Sequence, residues 1–109
     1  MGGREQMNAQ LGRYLGLCAA SRSAVCGSEL ALSAVRKNPQ KVFLILLACD
    51  ASARTEKQIT DKCTYYKVKL IKLDMTMKEL SDSLGKNSLV AACAITNKGL
   101  AEKIEELTA

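Results

Sequence analysis

The chain has 109 residues, of which 48% are apolar and 25% are charged, and its formal net charge is +5 at pH 7. This length allows one domain, and the composition is that of a folded globular protein, which excludes a disordered chain. The excess of basic residues favours an anionic partner, nucleic acid before an anionic membrane.

The chain shows no sign of a membrane span or a secretory signal. Its longest strongly apolar run, Val42–Cys49, is far shorter than the roughly 18 residues of a spanning helix. Met1–Gln6 contains no apolar signal core and no myristoylation motif. The five cysteines are odd in number and widely spaced, which is typical of reduced packing residues. We therefore expect a cytoplasmic protein without a membrane partner.

The first third of the chain predicts a helix, a strand and a second helix. Apolar residues recur at helical spacing from about Glu5 to Ala20, and a short strand over Ala24–Cys26 follows. Gly27 permits a tight turn there, and Ser28 is of a residue type that caps helices. The apolar residues of the second helix, which Asn38-Pro39 ends, are Leu30, Ala31, Ala34 and Val35.

The middle of the chain predicts a buried strand, a third helix and another strand. Val42–Cys49 is apolar at successive positions, which is typical of a central strand covered by helices on both faces. Asp50 and Ser52 are predicted to cap the third helix. Its inward face contains Ile59, Cys63 and Tyr66, and residues 69–73 form the next strand.

The last third predicts a helix, a strand and a closing helix. Thr76 and Glu79 have the spacing of a capping box, and Leu80 and Leu84 face inward before Gly85 ends the helix. A last strand is predicted over Leu89–Ile95. Asn97 then caps a helix that carries Leu100, Ile104 and Leu107. Five helices alternating with four strands predict the α/β class, as a three-layer α/β/α sandwich with a small mixed four-stranded sheet in one domain over residues 1–109.

Several residue types needed for common enzyme chemistry are missing from the sequence. The chain has no histidine, so the commonest general base, metal ligand and triad member is absent. No cysteine pair has the C-x-x-C spacing of zinc or dithiol sites, and no glycine-rich phosphate motif occurs. We therefore expect no enzyme activity, no metal and no cofactor.

Positive charge is concentrated in the middle of the sequence. Between Arg36 and Lys72 there are nine basic residues and three acidic ones. Two interpretations stay open: a field that steers a polyanion, or lysines scattered over solvated faces. One Phe, three Tyr and no Trp make an aromatic stacking platform for single strands improbable. An RNA partner would be held through its backbone and its shape.

Five segments together carry a resemblance to a known family. They are Leu15–Leu17, Cys26–Leu30, Val42–Asp50, Leu84–Lys86 and Ala91–Ile95, and the most specific features are the glycine that opens the second helix and the Leu-Gly after the fourth. This pattern resembles the ribosomal protein L7Ae family and, within it, the small bacterial YlxQ-type members. The resemblance covers nearly the whole chain, and it implies an α/β/α sandwich that binds RNA, usually a kink-turn, without enzymatic activity.

The resemblance also shows where this chain departs from the family pattern. In the kink-turn binders the glycine is followed by any residue, then by Asn-Glu and shortly afterwards by a Lys. These side chains contact sheared G·A pairs and phosphates from a helix N-terminus. Glu29, Leu30 and Ser33 stand at those three positions here, so the motif is degenerate. The loop after the fourth helix, which in the family offers apolar contacts to a flipped base, reads Lys86-Asn87-Ser88 and is more polar than usual. Asp82 stands where archaeal members carry Lys.

The candidate RNA-binding residues follow from that resemblance and from the basic charges. They are Arg22, Gly27, Ser28, Glu29, Arg36, Arg54, Lys86, Asn87 and Ser88. Each also has a purely structural interpretation. The glycine and the serine after it can serve only as turn and cap, and the arginines can be ordinary solvated charges.

Three functions are compatible with these residues. The first is a monomeric, non-catalytic RNA-binding protein of translation, whose partners are a structured RNA, ribosomal or kink-turn-like, and ribosome-associated proteins. The second is a protein-interaction module that keeps the fold and has lost specific RNA recognition; salt-insensitive binding to a protein would favour it. The third is the RNA-recognition part of a modifying complex, which copurification with a methyltransferase would favour.

Overall fold

A four-stranded sheet is the centre of the fold. The computed structural model describes residues 3–108, with side chains from residue 8 onward, so Met1 and Gly2 of the N-terminal interpretation lie outside the described residues. The elements are α1 Gly3–Ala20, β1 Ala24–Cys26, α2 Ser28–Lys37, β2 Leu44–Leu47, α3 Ala53–Tyr66, β3 Leu70–Lys72, α4 Met77–Ser83, β4 Ala92–Ile95 and α5 Lys98–Thr108. One turn of 3-10 helix, Pro39–Lys41, joins α2 to β2. No helix in this part of the chain has the length and apolar character that crossing a membrane requires.

The strands lie in the order β1-β4-β2-β3, which makes the sheet mixed. β4 is antiparallel to both β1 and β2, whereas β2 and β3 are parallel. Every residue of β2 and β4 is buried. These two strands are the central pair, which confirms the central strand predicted within Val42–Cys49.

Helices cover both faces of the sheet because the central strands are apolar at every position. Leu44 and Leu46 point into a core with α1, α4 and α5, and Ile45 and Leu47 point into a second core with α2 and α3. This arrangement confirms the predicted α/β/α sandwich.

Two predicted helix caps are present in the structure. The Thr76 hydroxyl accepts from the Glu79 amide at 3.1 Å, and the Glu79 carboxylate accepts from the Thr76 amide at 2.9 Å. The Asn97 side chain accepts from the Leu100 amide at 3.0 Å at the start of α5. The capping box therefore fixes the start of α4 as predicted.

Two other predicted caps are wrong. Gly27 itself is the N-cap of α2, with φ 105°, and Ser28 is already helical and caps nothing. At α3 only Ser52 acts as the cap, accepting from the Thr55 amide at 3.2 Å. Asp50 accepts instead from the Met77 amide at 2.7 Å, so its carboxylate holds the first turn of α4 against the end of β2.

Two leucines assigned to buried elements are exposed. α2 turns Ala31 and Val35 into the core, which leaves Leu30, one residue before Ala31, 62% exposed. The last strand begins at Ala92 and not at Leu89, because the first hydrogen bonds to the neighbouring strands' ends are accepted by the Ala91 and Ala92 carbonyls. Leu89 therefore lies in the preceding loop and is 64% exposed.

Candidate nucleic-acid interface

Three loops that are distant in sequence meet at the edge of the sheet where β4 begins. β1 and β2 both run antiparallel to β4, so both end at this edge. The Gly27 amide donates to the Ala92 carbonyl at 2.9 Å, and the Ala48 amide donates to the Ala91 carbonyl at 2.8 Å. The start of α2, the turn after β2 and the loop between α4 and β4 thus form one surface, which we call the β4-start edge.

The first turn of α2 presents polar backbone groups at this edge. Gly27 has a positive φ of 105°, a conformation that residues with a Cβ rarely adopt. No side chain caps the helix at this end. The first amides of an α-helix have no partner within the helix, so those around Ser28 and Glu29 remain available as donors to an anion.

The loop after α4 contributes exposed side chains to the same edge. Gly85, with φ 70°, reverses the chain, and the Lys86 amide donates to the Ser81 carbonyl at 2.9 Å. Lys86, Asn87 and Ser88 are exposed, and none of them makes a side-chain hydrogen bond or ion pair with another described residue. These three side chains are thus available to a ligand.

The Lys86 ammonium interacts electrostatically with the Cys26 thiol. Burial raises the pKa of the Cys26 thiol, and the Lys86 ammonium opposes that rise. Cys26 is the last residue of β1, directly before Gly27. The Lys86 charge therefore lies close to the start of α2, although the two are far apart in sequence.

Arg54 and Asp50 add opposite charges near the end of β2. Arg54 is exposed in the first turn of α3, and Asp50 is held by its hydrogen bond to α4. With Glu29 in the first turn of α2, the edge carries both signs of charge. Such a surface is not a uniform basic field.

The structure does not bring Arg22 and Arg36 to this edge. Arg22 precedes Ser23, whose carbonyl accepts from the Thr96 amide at 2.8 Å, so it lies at the other end of the sheet, where β4 ends. Arg36 is in the last turn of α2, about 12 Å along the helix from Ser28. Six of the nine candidates, namely Gly27, Ser28, Glu29, Lys86, Asn87 and Ser88, are in the segments that form the β4-start edge, and Arg54 follows the turn after β2 in the first turn of α3.

The basic stretch of the sequence does not form one patch. Lys69 and Lys72 lie in and beside the edge strand β3, and they pair with Glu105 at 3.4 Å and Glu56 at 3.2 Å. Arg36, by contrast, stands at the end of α2. The charges are distributed over several faces, as in the second of the two interpretations of the sequence.

Sequence reasoning missed one apolar residue at the edge. Leu89 was assigned to a strand, but it is exposed in the same loop as Lys86. The loop therefore has an apolar side chain after its three polar residues. The signal available in the sequence was the run of polar residues before Leu89, which argues for a longer loop.

Among residues 8–108 no group of three metal-ligating side chains is placed to hold a metal ion.

Comparison with known proteins gives a family and close relatives. The model of the ribosomal protein L7Ae/L30e/S12e/Gadd45 family matches residues 9–105. The RNA-binding protein YlxQ of Bacillus subtilis (strain 168) is 40% identical over 93 residues, which cover 85% of this chain and 89% of that protein. The protein of the same name from Enterococcus faecium is 31% identical over 93 residues, covering 85% of each chain.

Solved structures are similar over nearly the whole chain. A Bacillus halodurans protein of unknown function has a TM-score of 0.82 and 27% identity, covering 92% of this chain and 97% of that chain. The Giardia lamblia 15.5kD RNA binding protein has a TM-score of 0.72 and 18% identity, covering 94% and 90%. The second likeness shows the fold alone.

Proposed function

This chain belongs to the ribosomal protein L7Ae/L30e/S12e/Gadd45 family, and from that premise we propose that it is a non-catalytic RNA-binding protein. Two relatives that match 85% of the chain are named RNA-binding proteins, which supports the proposal. The observation that carries it is the meeting of the start of α2 with the exposed loop after α4 at one edge of the sheet.

The β4-start edge offers a separate group for each part of an RNA. The amides at the start of α2 and the Lys86 ammonium would bind phosphates. Glu29, Asn87 and Ser88 would hydrogen-bond to base edges, because carboxylate, amide and hydroxyl groups read bases in this way. Leu89 would lie against an unstacked base. Kinked RNA presents phosphates and displaced bases close together, so we propose that it is the preferred ligand.

The family description also supports a cellular setting. Ribosomal proteins give the family its name, so we propose a role in translation, in the cytoplasm, with ribosomal or kink-turn-like RNA and ribosome-associated proteins as partners. The chain acts as a monomer in this proposal, because all the protein groups that would bind RNA lie at one edge of a single chain.

Replacing Lys86 tests the proposed edge. RNA affinity should fall in Lys86→Ala, and the slope of log K against log salt should become less steep by about 0.7 to 0.9, the change for one lost phosphate contact. Fluorescence anisotropy at several salt concentrations measures both quantities. Lys62→Ala is the matched control, since Lys62 is an exposed lysine on α3 away from this edge. An unchanged slope in Lys86→Ala would remove Lys86 from the RNA site.

A further inference from the structure

A groove lies along one flank of α2, apart from the polar groups of the β4-start edge. Its volume is about 550 Å³, within the range of about 300 to 1,000 Å³ typical of ligand pockets. It extends from Leu30, in the first turn of α2, to Phe43 and Thr96. Phe43 precedes β2 and Thr96 follows β4, so the groove ends at the opposite end of the sheet from Gly27.

The floor of the groove is apolar and open to solvent. Leu30 is 62% exposed and Phe43 is 38% exposed, and Ala34 and Val42 lie between them in the lining. Large apolar side chains that remain exposed in one groove mark a surface that another molecule covers. Nothing in the described part of the chain covers this one, since the groove is open.

The rim of the groove is positively charged. Lys37 and Lys41 line it and are exposed, and no acidic residue is in the lining. Neither lysine forms an ion pair within residues 8–108, whereas Lys69 and Lys72 on the edge strand do. Lys37 is the last residue of α2 and Lys41 follows it, so the ligand that complements this rim carries negative charge beside an apolar group.

The chemistry of the floor favours a peptide over a nucleic acid. Proteins that hold single-stranded bases stack them on aromatic rings or on arginine planes. The lining has one aromatic ring, Phe43, and no arginine; its other apolar residues, Leu30, Ala34 and Val42, are aliphatic, and Ser33, Asn38 and Thr96 add uncharged polar groups. Aliphatic side chains such as Leu or Ile fit such a floor, and lysine ammonium groups pair well with carboxylates.

We propose that this groove binds a short acidic segment of a partner protein. The segment places apolar side chains between α2 and Phe43, and its carboxylates pair with Lys37 and Lys41. This interaction goes beyond the proposed RNA binding and uses side chains along the flank of α2, whereas the proposed RNA contacts use the amides at its start. The far end of the groove, at Phe43, lies at the opposite end of the sheet from Gly27.

A labelled peptide tests the proposal on the full chain. The probe is a short fluorescein-labelled peptide in which two leucines are flanked by glutamates. It should bind the unaltered protein, and Lys41→Glu and Phe43→Ala should each weaken binding by at least about tenfold. Lys62→Glu makes the same charge change on α3, away from the groove, and should leave peptide binding within about twofold. Lys41 is exposed, so its replacement tests binding without loss of the core; thermal unfolding checks both variants.

Three results would overturn the proposal. They are no binding of the acidic peptide, equal binding of a peptide with lysines in place of its glutamates, and an equal loss in Lys62→Glu. If Lys41→Glu and Phe43→Ala weaken an oligouridylate at least tenfold and leave the peptide unaffected, the groove binds RNA. The proposed RNA function stands or falls separately, because Phe43→Ala should leave kink-turn affinity unchanged and Lys86→Ala should leave peptide affinity unchanged.

Discussion

The five cysteines occupy very different surroundings, and burial determines which of them can react. Cys18, Cys63 and Cys93 are buried, and desolvation raises the pKa of both Cys18 and Cys63 to about 11. The thiolate is the reactive form, so these thiols are nearly all protonated at neutral pH. Cys49 is exposed in the turn after β2, next to the β4-start edge.

Cys49 should be the fast-reacting thiol of the native protein. An aromatic disulfide reagent at pH 8 should label one thiol per chain rapidly and the half-buried Cys26 more slowly. Cys18, Cys63 and Cys93 should react only as the chain opens, because burial both shields them and raises their pKa. Cys49→Ser should remove the fast phase, whereas Cys63→Ser should keep it. Absorbance of the released thiol measures this. A fast phase that persists in Cys49→Ser would contradict the assignment.

Residue-scale expectations failed where tertiary contacts replaced a local preference. Ser28 is of a residue type that caps helices. The Gly27 amide donates to β4, however, which places Gly27 at the N-cap and Ser28 in the first turn of α2. Asp50 lies two residues before the actual cap of α3, and its carboxylate accepts a hydrogen bond from the Met77 amide instead. No local pattern specifies a partner 27 residues away.

At the scale of single elements, α4 depends on its first turn. It has only 7 residues, and both hydrogen bonds of its capping box are present. Short helices gain little from their own backbone bonds, so a cap is a large part of their stability. α4 also leads directly into the loop that carries Lys86.

Removing the cap should therefore destabilise the protein by a measurable amount. Thr76→Ala should lower the free energy of unfolding by about 1 kcal/mol, the usual cost of losing a threonine cap. Thr60→Ala, at an exposed position inside α3, should have little effect or stabilise slightly, because alanine is the better helix former. Urea unfolding measures both. Equal free energies for Thr76→Ala and the unaltered protein would show that the cap does not hold α4.

Most helices and strands could be predicted from the period of the apolar residues and from the residues, such as proline and glycine, that end helices and strands. β1 has its predicted bounds, and α2 ends before Pro39 as expected. β4 is shorter than predicted because apolar period alone does not show where a partner strand begins. Leu89 fits a strand pattern, but hydrogen bonds to the β2 side start at Ala91 and those to the β1 side start at Ala92.

At the scale of the whole molecule, strand order creates the proposed RNA surface. β4 comes last of the strands in sequence but lies between β1 and β2, so its start joins three loops that are far apart along the chain. Spacing and composition do not give strand order. The family resemblance indicated that the start of α2 and the Lys86 loop act together. Arg22 and Arg36 were candidates because the sequence does not show at which end of the sheet a charged side chain lies.

A basic protein binds any RNA to some degree, so specific recognition by this chain must appear as a preference for RNA shape. The charges of this chain are spread over several faces, and the groups at the β4-start edge include both cations and carboxylates. A purely electrostatic interaction would not distinguish two RNAs of equal charge. Recognition through the edge would distinguish them, because only a kinked RNA brings phosphates and displaced bases together.

The most direct measurement is a titration of a labelled kink-turn RNA and of a straight duplex of equal length and charge, each at two salt concentrations. If the β4-start edge recognises RNA shape, the kinked RNA should bind at least tenfold more tightly than the duplex, a difference of about 1.4 kcal/mol. This preference should persist at the higher salt concentration. Equal and weak binding of both RNAs, lost together as salt rises, would contradict it and leave only the general attraction of a basic chain for a polyanion.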